Sequence, residues 1–146
     1  MVEWAERFDA RILLHEADRR WVMRESDRVT FWGGETYPLM DGVTLVRLGG
    51  HFDGGTVLHW RDGAGGKGAL LTGDIVDVVA DRRWVSFMYS YPNLIPLPAS
   101  TVRRIADAIA RYTFDRIYGA WTGSAVDHDA HAAVARSTER YIKALG

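Results

Sequence analysis

Apolar positions recur along this chain at two spacings, one helical and one alternating, and the spacing assigns most elements. Val2, Ala5 and Phe8 share one face at helical spacing, so Val2 to Asp9 is read as a short helix. Arg11 to Leu14 follows as an apolar strand closed by His15, and Glu16 to Met23 is expected to form a second short helix. Thr30 to Trp32 and Thr36 to Met40 are short extended pieces around Gly33-Gly34. Asp41-Gly42 is a hairpin signal, because the glycine tolerates the left-handed backbone such a turn requires. Val43 to Leu48, Thr56 to Trp60 and Ala69 to Thr72 are then expected as strands, the last two joined by a flexible loop over Asp62 to Gly68.

Ile75 to Pro98 is irregular and aromatic, and Pro92, Pro96 and Pro98 argue against regular structure in its second half. Ser100 is placed as the N-cap of a helix over Thr101 to Tyr112, with Val102, Ile105 and Ile109 inward. Ile117 to Trp121 is a last strand, and Asp127 to Leu145 a closing helix. Strands dominate the middle and helices flank both ends. The class is mixed α/β, as one domain over residues 1–146. Ala-Asp-Arg-Arg-Trp-Val occurs at both Ala17–Val22 and Ala80–Val85, but the surroundings differ and no repeat follows.

Composition narrows the function classes. Eighteen Lys plus Arg against nineteen Asp plus Glu leave a net charge of -1, which gives no electrostatic footprint for nucleic acid or an anionic membrane. The apolar runs are shorter than a membrane span, and no signal-like segment opens the chain, so a cytoplasmic location is expected. With no cysteine, a metal here would have to use histidine and carboxylate ligands.

Two segments carry the candidate chemistry. Gly49-Gly50-His51-Phe52-Asp53-Gly54-Gly55-Thr56 lies between two strands; its glycines permit sharp turning, and His51 and Asp53 are ligand or acid-base groups. Leu70-Leu71-Thr72-Gly73-Asp74 is an apolar strand that ends in a carboxylate, a rigid way to present a ligand. Taken singly, each also reads as ordinary turn chemistry. His59 reads as a satisfied sheet histidine, although both faces of its strand carry apolar residues. His15 reads as a helix cap, and His128 and His131, three apart, as a solvated cluster.

In this order and spacing the two segments resemble the metallo-β-lactamase superfamily. Gly50-His51-Phe52-Asp53-Gly54-Gly55 is similar to its Gly-His-Thr-Pro-Gly-Ser-like loop, with Phe-Asp in place of Thr-Pro. Gly73-Asp74 is similar to its strand-end Gly-Asp. Leu13-Leu14-His15-Glu16-Ala17-Asp18 looks like the strand-to-helix step after its first metal motif, and Ile117 to Gly123 occupies the place of its Pro-Gly-His-Gly segment.

The resemblance implies part of an αββα sandwich, with mixed sheets flanked by helices, and metal-dependent hydrolysis. His51 and Asp74 would be metal ligands, Asp74 and Asp53 catalytic candidates, and zinc, iron or manganese the metal. Phe52, Trp84, Phe87, Tyr89, Tyr91 and Trp121 would line a substrate cleft. The chain begins where the superfamily's His-x-His-x-Asp-His segment ends, and Trp121 stands where its last histidine would be. A depleted metal site, weakly active or inactive and with no metal bound as one outcome, is therefore expected. The alternative is a non-catalytic module that binds a small ligand or a partner. Starting mid-fold should leave sheet edges and apolar faces uncovered, so a homo-oligomer is expected as well.

Overall fold

Six strands form the main sheet of the computed structural model, which describes all 146 residues. In chain order the elements are α1 (Val2–Arg7), β1 (Ile12–His15), a 3-10 turn (Glu16–Trp21), β2 (Val29–Trp32), β3 (Thr36–Met40), β4 (Val43–Arg47) and β5 (Thr56–Trp60). A single helical turn, α2 (Gly63–Gly66), leads to β6 (Ala69–Gly73), β7 (Val76–Val78) and β8 (Val85–Phe87). The chain closes with α3 (Ala99–Ile109), β9 (Arg116–Gly119), β10 (Ala125–Val126) and α4 (Ala130–Ala144).

The main sheet runs β10-β9-β6-β5-β4-β3, antiparallel except where β6 meets β9. Side-chain alternation sorts it into two faces. Val46, Val57, Leu70, Thr72 and Ile117 point to the inner face, where Val102, Ile105 and Ile109 of α3 and Ala130, Ala133 and Val134 of α4 cover them. Leu45, Leu58, Leu71 and Tyr118 are register mates across β4, β5, β6 and β9 and form a row on the other face. That row is buried at Leu45 and opens to solvent at Leu71.

Beneath it lies a second, two-stranded parallel sheet, β1 with β2. Its Leu13 and Leu14 line the same cleft as Leu45, Leu58 and Leu71, so the two sheets face each other across a gap. The α/β class expected from the pattern is present, and no helix is long and apolar enough to cross a membrane.

Several boundaries differ from expectation, each for a local reason. Ile75 to Pro98 is not wholly irregular: β7 and β8 pair antiparallel, driven by burial of Val76, Val78, Val85 and Phe87. Strands of three residues are too short to leave a periodic signature. Helix α3 starts at Ala99, with Pro98 in the cap position instead of Ser100; the Pro98 carbonyl accepts from the N–H groups of Thr101 and Val102. Helix α4 starts at Ala130 instead of Asp127, because Asp129 sits in the left-handed region and its N–H donates to the Asp115 carboxylate at 2.8 Å. The segment after His15 is a 3-10 turn, and Phe8 turns outward to stack on Trp4 at 5.3 Å instead of joining Val2 and Ala5 in the core. The loop over Asp62 to Gly68 contains α2; the strand expected over Ile117 to Trp121 ends at Gly119, and β10 follows it as a further strand.

The two faces of β6 give a direct test. Leu70 is fully buried and its neighbour Leu71 is 41% exposed. Leu70→Ala should cost about 2 to 5 kcal/mol in urea unfolding. Leu71→Ala should cost about 1 kcal/mol or less. Equal losses would mean that the sheet's inner face has been assigned wrongly.

Candidate functional site

The loop between β4 and β5 is shaped by backbone geometry before any side chain acts. Leu48 and Gly49 both donate to the Gly55 carbonyl, at 2.7 and 2.9 Å, and Gly55 donates to Phe52 at 3.0 Å. Gly49 and Gly50 take φ of 64° and 87°, a region that costs any residue with a Cβ. Gly54 is needed for a different reason: a Cβ there would stand 2.7 Å from the Asp18 carboxyl carbon and 2.9 Å from the His15 Cβ. The loop passes so close because the Gly54 N–H donates to Asp18 Oδ1 at 2.7 Å. Arg47 and Arg104 add bonds to the Asp53 and Leu48 carbonyls.

This loop presents His51 with one ring nitrogen already committed. Nδ1 lies 2.8 Å from the Tyr89 carbonyl. A carbonyl can only accept, so Nδ1 carries the proton, and in the neutral ring Nε2 is left with a free lone pair. The same segment is held a second time, because Tyr91 N–H donates to the His51 carbonyl at 2.9 Å. This is the arrangement by which a ligating histidine is usually oriented.

Asp74 reaches the same cleft from the end of β6. The cleft, about 570 Å³, is lined by both residues together with Phe52, Asp18, His15 and the leucines of the two facing sheets. Asp74 Oδ1 is buried and has no hydrogen-bond partner. Three residues on, burial and the neighbouring Asp74 carboxylate push the Asp77 carboxyl above the usual carboxylate range.

The remaining predicted residues divide. Phe52 lines the cleft, and Tyr89 and Tyr91 pack edge-on to the His51 ring at 6.4 and 5.6 Å. Asp53 is turned away from the cleft and is mostly exposed, its carboxylate 3.2 Å from Arg20. Three aromatic residues expected in the cleft wall lie elsewhere. Phe87 is core, edge-on to Tyr141; Trp84 lies under the Arg140 guanidinium; Trp121 is 70% exposed. The β7-β8 hairpin explains the first two, since it carries Trp84 and Phe87 against α4.

Two other histidines have structural roles, and His128 and His131 are exposed. His15 accepts from Ala17 N–H through Nδ1 and donates to the Gly34 carbonyl through Nε2, so both nitrogens are engaged. His59 donates to the Thr113 carbonyl at 2.9 Å beneath the Tyr112 ring. His131 packs against Phe114. Sequence reasoning missed Asp18, which anchors the loop across thirty-six positions.

These donors do not make a complete metal site. No three His, Asp or Glu side chains stand close enough together to hold an ion. Of the four His and Asp side chains that line the cleft, His15 has both nitrogens engaged and Asp18 holds the Gly54 N–H, which leaves His51 and Asp74 as the donors without a structural task.

No family model matches the chain. It is 58% identical over 144 residues to the uncharacterized protein YmaE of Bacillus subtilis (strain 168), covering 99% of this chain and 52% of that protein. The chain thus spans about half the length of this relative. Among solved structures it is similar to a probable metal-dependent hydrolase from Staphylococcus aureus. The TM-score is 0.48 at 15% identity, over 68% of this chain and 39% of that one.

The Asp77 environment predicts a pH effect of definite sign. The folded state holds this proton more tightly than the unfolded chain, so Asp77 destabilises the fold as pH rises from about its ordinary value of 3.8 through the raised one. Asp77→Asn should therefore gain stability over the parent across that rise and hold the gain up to neutral pH, as measured by urea unfolding at several pH values. A gap that narrows with rising pH would contradict it.

Proposed function

We propose that this chain is a relative of the metallo-β-lactamase-like hydrolases, with His51 and Asp74 as two donors for a divalent metal ion. The carrying observation is the His51–Asp74 pair: a histidine whose Nδ1–H is bound to the Tyr89 carbonyl, in one cleft with a carboxylate whose buried oxygen has no partner. Zinc, iron or manganese would suit this nitrogen and oxygen set. In a complete site of this kind the metal would lower the pKa of a bound water and polarise the substrate.

A hydrolytic zinc site uses about three protein ligands and a water. Two donors fall short of that set. The chain by itself is accordingly assigned weak metal binding and little or no hydrolysis. Asp53, paired with Arg20, is given no catalytic part. Asp18 acts by holding the loop that presents His51.

A second reading, a non-catalytic module for a small ligand, is favoured by the aromatic packing of Phe52 and Tyr91 on His51. The two separate on metal affinity. Zinc titration against a chromogenic chelator should show weak binding near one equivalent. His51→Ala and Asp74→Asn should each reduce that affinity by about tenfold or more. Complete absence of zinc, iron and manganese binding would overturn the metal reading and leave the ligand-binding module.

A further inference from the structure

A second depression adjoins the cleft and differs from it in chemistry. It encloses about 490 Å³, within the range of small-molecule sites, and seven of its ten lining residues are apolar. Its apolar wall includes Leu14, Trp21, Val22, Met23 and Phe52. Leu14, Asp18 and Phe52 line both depressions, so the groove borders the cleft that holds His51 and Asp74.

An unbroken series of rings joins the two. Trp21 stands edge-on to Phe52 at 5.9 Å, Phe52 stacks on Tyr91 at 5.5 Å, and Tyr91 is 5.6 Å from the His51 ring. Few charges stand along the same wall. Glu3 and Arg24 pair with each other at 3.6 Å, and Asp18 is taken by the Gly54 N–H. These three are the charged side chains of a lining that is otherwise apolar.

We infer that this groove is a specificity subsite, and that it takes an uncharged apolar substituent, aromatic or aliphatic, of the small molecule whose polar end lies beside His51. The inference rests on the cleft being a small-molecule site and does not require a metal in it. Trp21 and Phe52 supply the contact area, and their rigid rings lose little conformational freedom on binding. A carboxylate or phosphate at that end would be desolvated against the seven apolar side chains of the lining.

The test uses the neutral fluorophore N-phenyl-1-naphthylamine with the full 146-residue chain, free of added metal. Saturable enhancement is expected, displaced by octanamide more strongly than by octanoate. Trp21→Ala should weaken binding by about tenfold. Met23 is 95% exposed and has no part in the core, so Met23→Glu should fold normally, checked by circular dichroism, and also weaken binding. Fluorophore binding is read without metal and zinc affinity without fluorophore, so failure of the subsite and failure of the metal reading are seen separately. No enhancement, or enhancement indifferent to both groove variants, would overturn the proposal. So would a dimer by light scattering that Met23→Glu dissociates, since a second copy would then fill the groove.

Discussion

Strand β6 is the constraint on which the rest of this structure depends. It pairs antiparallel with β5 on one side and parallel with β9 on the other, and its inward residues Leu70 and Thr72 are fully buried under the two long helices. The Thr72 hydroxyl donates to the Val76 carbonyl at 2.7 Å and so fixes the turn that follows. Asp74 lies within that turn. A carboxylate positioned this way is held by the core itself, and its placement does not rely on loop packing. Its desolvation is the cost, offset by the hydrophobic burial of the strand that delivers it.

His51 is placed by different means. It sits on a glycine-rich loop, and directional bonds orient it there: Asp18 to Gly54, Arg47 to Asp53, Arg104 to Leu48, and the paired contacts with Tyr89 and Tyr91. Such bonds fix orientation better than they add stability. The two donors therefore meet in one cleft through unlike mechanisms, one from strand burial and one from a hydrogen-bonded loop. Across the two-sheet gap between them, the outward leucines of β4, β5 and β6 face the leucines of β1.

Much of this was legible in the sequence wherever a local signal existed. The strands β1 to β6 and the long helices follow from periodicity, and the cap by His15 and the buried bond of His59 follow from residue chemistry beside an apolar run. The aromatic wall was only half legible. Phe52, Tyr89 and Tyr91 gather at His51, whereas Trp84 and Phe87 are drawn to α4 by a hairpin of three-residue strands that leaves no pattern. Asp18 had no sequence signal at all, because its partner is thirty-six positions away and is a backbone group. The turn of Asp53 toward Arg20 is equally non-local. What escaped the sequence is what tertiary contact decides.

The most direct measurement of the central claim is the tautomer of His51, read from long-range proton–nitrogen correlation in a nitrogen-15-labelled sample. The account predicts a protonated Nδ1 and an unprotonated Nε2, with the Nε2 resonance shifting on zinc addition in the parent and far less in Asp74→Asn. A proton on Nε2, or a zinc response that ignores Asp74, would contradict it.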